Sequence, residues 1–499
     1  TPCAKRVARP LTDLMSRLSP RPGYAFHRST PSGPDPASWT RPIVLLLTMA
    51  LCSCTKPGVR QVAPDHLVRA LRRPVIASPL AYDWDDERPG SEIAVGSWDG
   101  YFYLLDIELN DIPGWPKYSG KKPIRSIATG SGLRTVLARG EKGFFSSPAL
   151  ADLDGDGQPE IVVGSEAGKL YAWHADGRNV DGFPIDLGYE IWASPTILPS
   201  PSGSTVLAGP RIAIGGLGQM HVLDARGKAV DGWPQPISGW PDATAAYAPG
   251  ILAVTTLTPG NLSRGYIYAW QEDGNLLPGF PVELARDSDS SPVLVELDGD
   301  GQWWIVFGDD AGWLHVLDTA GHERAGFPVR TLGPRPGPTP TPHPPGGNVY
   351  SIEASPAVAD LDGDGRFDIA VGSWDGRMYV WDDAGALLPG WPIEVEDQII
   401  SSAALADLDG DGRPEVIVGS KDGRLYGWTA SGERQPGFPY DLGHHVFSSP
   451  WIGDLDGDGR ADIVIGANNG LHLIRDAGPL GPVVWPMFHR NEQNTGAIP

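Results

Sequence analysis

Short apolar runs broken by clusters of Gly, Asp, Pro and Ser fill most of this chain, and one cycle of them shows the pattern. In residues 147–187, "SPALADL" reads as a strand and "EIVVGS" as a second, β-branched strand. "EAG" supplies a tight turn, "KLYAW" alternates as a third strand, and "GFPIDL" reads as a fourth. Such runs, bounded by turn residues, are the signature of β-strands in hairpins.

The cycle recurs. "ASPAVADLDGDGRFDIAVGSWDGRMYVW" (354–381), "SAALADLDGDGRPEVIVGSKDGRLYGW" (402–428) and "SPALADLDGDGQPEIVVGSEAGKLYAW" (147–173) are near copies. "SPWIGDLDGDGRADIVIGANNGLHLI" (449–474) is a fourth, and "SPVLVELDGDGQWWIVFGDDAGWLHVL" (291–317) is looser. An aromatic-Pro pair marks each unit, at Trp115, Phe183, Trp233, Phe280, Phe327, Trp391, Phe438 and Trp485, with spacings of 68, 50, 47, 47, 64, 47 and 47. Trp240-Pro241 falls out of register. Units 3 and 4, about 190–285, keep the strands but lack the acidic loop.

Eight units of four strands predict an all-β fold, an eight-bladed β-propeller over residues 74–499. The alternative is a seven-bladed ring with unit 1 or unit 4 as an appendage. Pro74–Ser78 is expected to pair into the last blade and close the ring. Insertions near 117–145 and 331–347 account for the two long spacings. The first carries seven Lys/Arg against one Glu and the second is Pro-rich. Trp98, Trp313 and Trp374 fall in or beside second-strand hairpins, and His444-His445 is expected on a strand with its rings on opposite faces.

Composition adds constraints. A net charge of -22 argues against nucleic acid, whose phosphates require basic surface. The only cysteines are Cys3, Cys52 and Cys54, so the folded body has no disulfides. Residues 1–54 read as a leader. The apolar run Ile43–Leu51 is too short to span a bilayer and ends at "LCSC", which resembles a bacterial lipoprotein signal with cleavage before a lipidated Cys54. Plain secretion is the alternative. Residues 55–73 read as a tether. The expected location is the cell envelope, lipid-anchored to the outer membrane, with no other membrane contact.

The loops carry the candidate chemistry. Acids recur at positions one, three, five and nine: Asp152, Asp154, Asp156 and Glu160; Asp360, Asp362, Asp364 and Asp368; Asp407, Asp409, Asp411 and Glu415; Asp454, Asp456, Asp458 and Asp462. Gly157, Gly365, Gly412 and Gly459 follow the third acid. Without a cation these carboxylates would repel or take up protons. Calcium, a hard cation taking six to eight oxygens, fits such a loop better than magnesium, and the loops contain no His or Cys for zinc. Position twelve is Val163, Val371, Val418 or Ile465, where an EF-hand needs Glu. Unit 5 has Glu296, Asp298 and Asp300 but Trp304 at position nine, so weak binding is expected. Unit 1 offers a distorted set, Asp83, Asp85, Glu87 and Glu92. Four to six Ca²⁺ ions are expected, with a structural role.

"DLDGDGRPEVIVGS" resembles the FG-GAP repeat, also grouped as VCBS-type, of integrin α-chain propellers and their bacterial relatives. The resemblance is strong in units 2, 5, 6, 7 and 8 and weak in units 1, 3 and 4. The ending "WPMFHRNEQNTG" (485–496) resembles that of bacterial members. It implies calcium in the blade loops. No G-x-S-x-G, Cys–His pair or H-E-x-x-H stands in the sequence, and no catalytic set assembles. A monomeric, surface-anchored module that binds a protein or glycan is the expectation. A polysaccharide lyase or another propeller enzyme, and an envelope assembly accessory, are the alternatives.

Overall fold

The computed structural model describes residues 59–63, 65–85, 88–120, 143–200, 209–216, 218–258, 264–334 and 349–498. The leader, Cys54 and the bodies of both insertions lie outside them. Among the described residues the body Thr55–Pro499 contains eight sheets, antiparallel but for one parallel tail strand, so the ring has eight blades, not seven.

Blade 2 shows the plan. Ala149–Ala151 is innermost, followed outward by Glu160–Gly164, Lys169–Trp173 and the two-residue edge Ile185–Asp186. Every residue of Glu160–Gly164 is buried. A blade is covered on both faces by its neighbours, which is why this strand is a continuous apolar run and not an alternating one. The plan puts the first-to-second-strand loops, which are the acidic ones, and the third-to-fourth-strand turns on one side of the ring, the loop face. The second-to-third-strand hairpins and the links to the next blade form the other side, the link face.

The aromatic-Pro pairs seal adjacent blades. Phe183, Trp233, Phe280, Phe327 and Trp391 are all buried. The Trp115 indole N–H donates to the Ala175 carbonyl of blade 2 at 2.7 Å, and Trp233 and Trp391 repeat this bond with Glu272 and Ala430. The preceding glycine is obligatory. A Cβ at Gly232, where φ is 87°, would stand 2.1 Å from the Asp273 carbonyl oxygen. Trp240-Pro241 plays a different part. Pro241 covers Gly215 in blade 3, the place Ile191 takes over Gly164 in blade 2.

Two expectations fail at the ring closure. Blade 8 takes three strands from the C-terminal end, Trp451–Gly453, Asp462–Ala467 and Gly470–Ile474. Its outer two come from the supposed tether, His66–Ala70 and Val59–Ala63. Pro74–Ser78 forms no strand. Val75 instead donates its amide to the Ala467 carbonyl at 3.1 Å and packs on Gly466. Closure lies upstream because Trp485 does not end blade 8. Val483–Trp485 adds to the inner edge of blade 7, beside Ala404–Ala406.

The remaining tail runs along the inner strands of successive blades. Carbonyls of Pro486, Glu492, Gln493, Thr495 and Gly496 accept the amides of Ile452, Leu150, Ile197, Tyr247 and Leu294 at 2.7–2.8 Å. Ala497–Ile498 then pairs in parallel with Val293–Val295. These amides occupy equivalent positions in blades 8, 2, 3, 4 and 5, so one segment satisfies inner edges that would otherwise be unpaired. Asn494 and His489, both wholly buried, fix the turn: the Asn494 amide reaches the Pro148 and Pro195 carbonyls at 3.1 Å.

A belt of hydroxyls links the blades. The amide of each leading Ser or Thr donates to the hydroxyl of the next, from Ser78 to Ser147, Ser194, Thr244 and Ser291, and again from Ser355 to Ser402, Ser449 and back to Ser78. The bonds are 2.9–3.1 Å long.

Candidate metal centres

Each full acidic loop is held by the same two contacts. The first Asp accepts loop amides: Asp152 takes Gly155 at 2.7 Å and Gly157 at 3.1 Å, and Asp360, Asp407 and Asp454 repeat this pattern. The glycines of the turn have positive φ, which allows the backbone to curl around that carboxylate. The position-nine acid lies at the start of the second strand and accepts the amide of residue two. The pairs are Leu153 to Glu160 at 2.7 Å, Leu361 to Asp368 at 2.9 Å, Leu408 to Glu415 at 2.6 Å and Leu455 to Asp462 at 2.9 Å.

The carboxylates then converge. Oxygens of Asp154, Asp156 and Glu160 lie within 4.8 Å of one another, together with a ring nitrogen of His174. Asp360, Asp362 and Asp368, then Asp407, Asp409 and Glu415, then Asp454, Asp456 and Asp462, form matching triads. The predicted sets are thus brought together in part. Asp152 stands outside the first group, and Asp364, Asp411 and Asp458 stand outside the others. Asp364 binds Arg366 at 2.8 Å.

Burial shifts the position-nine acids. Desolvation at the strand start, with repulsion from the neighbouring aspartates, pushes Glu160, Asp368 and Glu415 up to about 7 and Asp462 up to about 6. A carboxyl that holds its proton to near neutrality, because it is buried and faces two other acids, fits a divalent cation that would take the proton's place. The donors are oxygens throughout except for His174, a set suited to a hard ion.

Blades 5 and 1 use the same loop differently. In blade 5 the Arg324 guanidinium grips Asp298 with two bonds, 2.6 and 2.8 Å, and lies over the Trp304 ring at 4.7 Å. The Trp304 indole adds a third bond to Asp298 at 3.0 Å, and Arg324 holds that carboxyl below its usual range. Glu296, Asp298 and Asp300 form no converging group among the described residues. In blade 1 Glu92 accepts the Trp84 amide at 3.0 Å, as a position-nine acid should. Arg88 sits between Glu92, at 2.8 Å, and Asp85. Asp83 is exposed, and Glu87 lies outside the described residues. Neither arginine was legible as a loop partner, because Arg324 comes from a different hairpin and Arg88 from the one-residue expansion of the loop.

The link face differs in chemistry. Ile76, Phe145, Trp192, Asp242, Asp289, Glu353, Ile400 and Phe447 each precede a belt hydroxyl by two residues and are all half-buried. Three consecutive acids thus interrupt an apolar ring. Asp289 and Glu353 converge with Asp310, a grouping no sequence motif marks. Phe145 stacks on Trp192 at 4.2 Å and lies 5.0 Å from Trp98. Trp98 is buried, and Trp313 carries Arg330 over its ring at 5.0 Å. Both insertions depart from this face, since Gly120 and Gly143, and Pro334 and Val349, belong to outer-to-inner links. His444 and His445 are not on a strand but in the exposed link to blade 8, where His445 contacts the Lys421 carbonyl.

Comparison with known proteins finds a known repeat in the matched segments. A model described as FG-GAP-like repeat matches residues 360–418 and 407–465, and one described as FG-GAP repeat matches 144–180 and 449–483. No curated protein matches the chain in sequence. Among solved structures the chain is similar to a europium-containing methanol dehydrogenase, at 14% identity over 79% of this chain and 85% of that one, with a TM-score of 0.52. It is similar to the V. cholerae biofilm matrix protein Bap1, at 12% identity over 87% and 93%, TM-score 0.51. It is also similar to Saccharomyces cerevisiae Sqt1, at 14% identity over 84% and 98%, TM-score 0.52. At these identities the likeness is one of fold.

Proposed function

The chain is an FG-GAP-repeat β-propeller protein, and from that premise we propose that it is a calcium-stabilised binding module of the cell envelope, recognising a protein or a glycan. The observation that carries the reading is the division of labour between the faces. Four loops on one face gather carboxylates around room for a cation, a structural use of acidic side chains. The link face carries the aromatic and acidic ring, and both insertions depart from it. Loops on a rigid scaffold are where recognition concentrates.

Calcium is the ion of choice because flexible oxygen-rich loops suit it and because envelope calcium matches sites of about 10⁻⁴–10⁻³ M. Four ions would each tie an inner strand to its neighbour at the loop face. Binding energy of this kind adds to folding energy. The apolar run ending at Cys54 supports export and a lipid anchor. Bap1, a biofilm matrix protein by name, has the same fold, which is consistent with this location. The dehydrogenase shares the ring of blades. In this chain the tail 481–498 runs along the inner strands, which favours binding at the rim over chemistry at the centre.

A glycan array and a pull-down of envelope proteins, each run with calcium and with chelator, test the reading. Calcium-dependent capture of one ligand class supports it. Capture indifferent to calcium, or turnover of a bound polysaccharide, contradicts it.

A further inference from the structure

Between the outermost strand of blade 1, Lys117–Tyr118, and the third strand of blade 2, Lys169–Trp173, lies a cavity of about 420 Å³, walled by Lys117, Tyr118, Lys169, Tyr171, Trp173 and Asn179. Its chemistry departs from the rest of a protein of net charge -22. The residue that follows the aromatic-Pro pair normally presses on the turn glycine of the next blade. Ile185, Val282, Val329 and Ile393 do so on Gly227, Gly321, Gly385 and Gly432, and Gln235 does so on Gly274. In blade 1 the same place holds Lys117, whose Nζ would stand 2.4 Å from a Cβ at Gly177. An ammonium thus replaces a packing group at one junction of the ring.

Among the described residues, neither Lys117 nor Lys169 is within ion-pair distance of a carboxylate. Asp186, the cross-strand partner of Lys169, accepts the Gly188 amide of its own turn at 2.8 Å, and Asp176 is taken by Arg178 at 2.6 Å. Lys117 instead lies 5.5 Å from the Trp115 ring. Tyr171 and Trp173 stack at 4.6 Å to make a flat, rigid wall, and the Tyr171 hydroxyl is spent on the Ser119 carbonyl at 2.7 Å. Tyr118 is 38% exposed, and Asn179 is exposed. Two cations, a neutral amide and an open aromatic ring therefore face one volume of the size that holds a small ligand.

We propose that this cavity binds the carboxylate of an acidic sugar residue. The two ammonium groups hold the carboxylate, Asn179 takes ring hydroxyls, and Tyr118 covers an apolar sugar face. A carboxylate needs charge-assisted donors, and a polyhydroxylated ring needs neutral ones beside an aromatic surface. A bare anion would use only the lysines. The assignment rests on the reading of the protein as a binding module and names one ligand class for it.

The test is titration of the calcium-saturated full chain with glucuronate and galacturonate, by calorimetry and saturation-transfer NMR. Glucose serves as the neutral control, and inorganic phosphate and sulfate as bare anions. The expected result is binding of the sugar acids, none of glucose, and about a tenfold loss of affinity in each of Lys117→Ile and Lys169→Met. Lys117→Ile restores the side chain found in blades 2 and 6, so its melting temperature should not fall. Sugar acids binding no better than glucose, affinity unchanged in both variants, or phosphate displacing the sugar acids at equal concentration would each overturn the proposal. Chelator-sensitive melting is read separately, so failure here leaves the calcium reading standing, and failure there leaves this one.

Discussion

Blades 7 and 5 carry nearly the same loop and solve its electrostatics in opposite ways. In blade 7, Asp407, Asp409 and Glu415 converge with no cation of the described chain among them, and Glu415 is pushed up to about 7. In blade 5, Arg324 reaches across from another hairpin, Asp298 is held low, and the acids do not converge. Blade 1 sides with blade 5 through Arg88. The contrast teaches that the loop requires a positive charge, and that the chain supplies it in two blades and leaves four open. Units 3 and 4, without acids, need none.

The largest test of that contrast is removal of the ion. At a few millimolar calcium and sites of about 10⁻⁴–10⁻³ M, four ions contribute on the order of 5 kcal/mol to stability. Chelator should therefore lower the melting temperature by several degrees, read by calorimetry. A melt that does not move breaks the comparison.

Next in size is conversion of one blade type into the other. Arg324→Met leaves Asp298 with only the Trp304 indole and no charged partner, and should cost about 1–2 kcal/mol, a figure kept low because Asp298 is partly exposed. Adding Trp304→Glu to that variant rebuilds position nine, and calorimetric titration should then find one more calcium site. A similar cost is expected from Gly481→Ala. A Cβ there would stand 2.2 Å from Asp407 Oδ2, so the tail should displace the first acid of blade 7 and remove one site.

Acidity gives a smaller, signed effect. Glu160, Asp368, Glu415 and Asp462 titrate near 6–7 in the folded, metal-free chain and near 4 when unfolded. Between those values the folded state holds protons that the unfolded state has released. Metal-free stability should therefore fall as pH rises from about 4 to 7. With calcium the slope should reverse, because the ion competes with those protons. Melts at pH 5 and 7.5, with and without calcium, read the crossing.

The repeat made most of the ring legible: "DLDGDG", the β-branched second strand and the aromatic-Pro spacing point to eight blades, with seven as the alternative, and place Asp360 and Asp407 at acidic loops before anything is folded. The ends were not legible. "HLVRA" at 66–70 carries no repeat signature, yet it completes blade 8 because the chain after Ile474 turns to the inner edges of other blades. Trp485 matches the aromatic-Pro marker, yet it joins an inner edge, since pairing depends on which edge is open and not on local sequence. The metal loops were visible as residue types at a spacing. Which acids converge depends on how each loop curls, Arg88 intervenes through the one-residue expansion of its own loop, and Arg324 through a contact between separate hairpins.

Counting and locating bound ions is the most direct measurement. Anomalous diffraction from crystals grown in calcium, with elemental analysis of the dialysed protein, should find four ions per chain, in the loops of blades 2, 6, 7 and 8, and none beside Arg88 or Arg324. Empty loops in those four blades, or ions of equal occupancy in blades 1 and 5, would contradict the account.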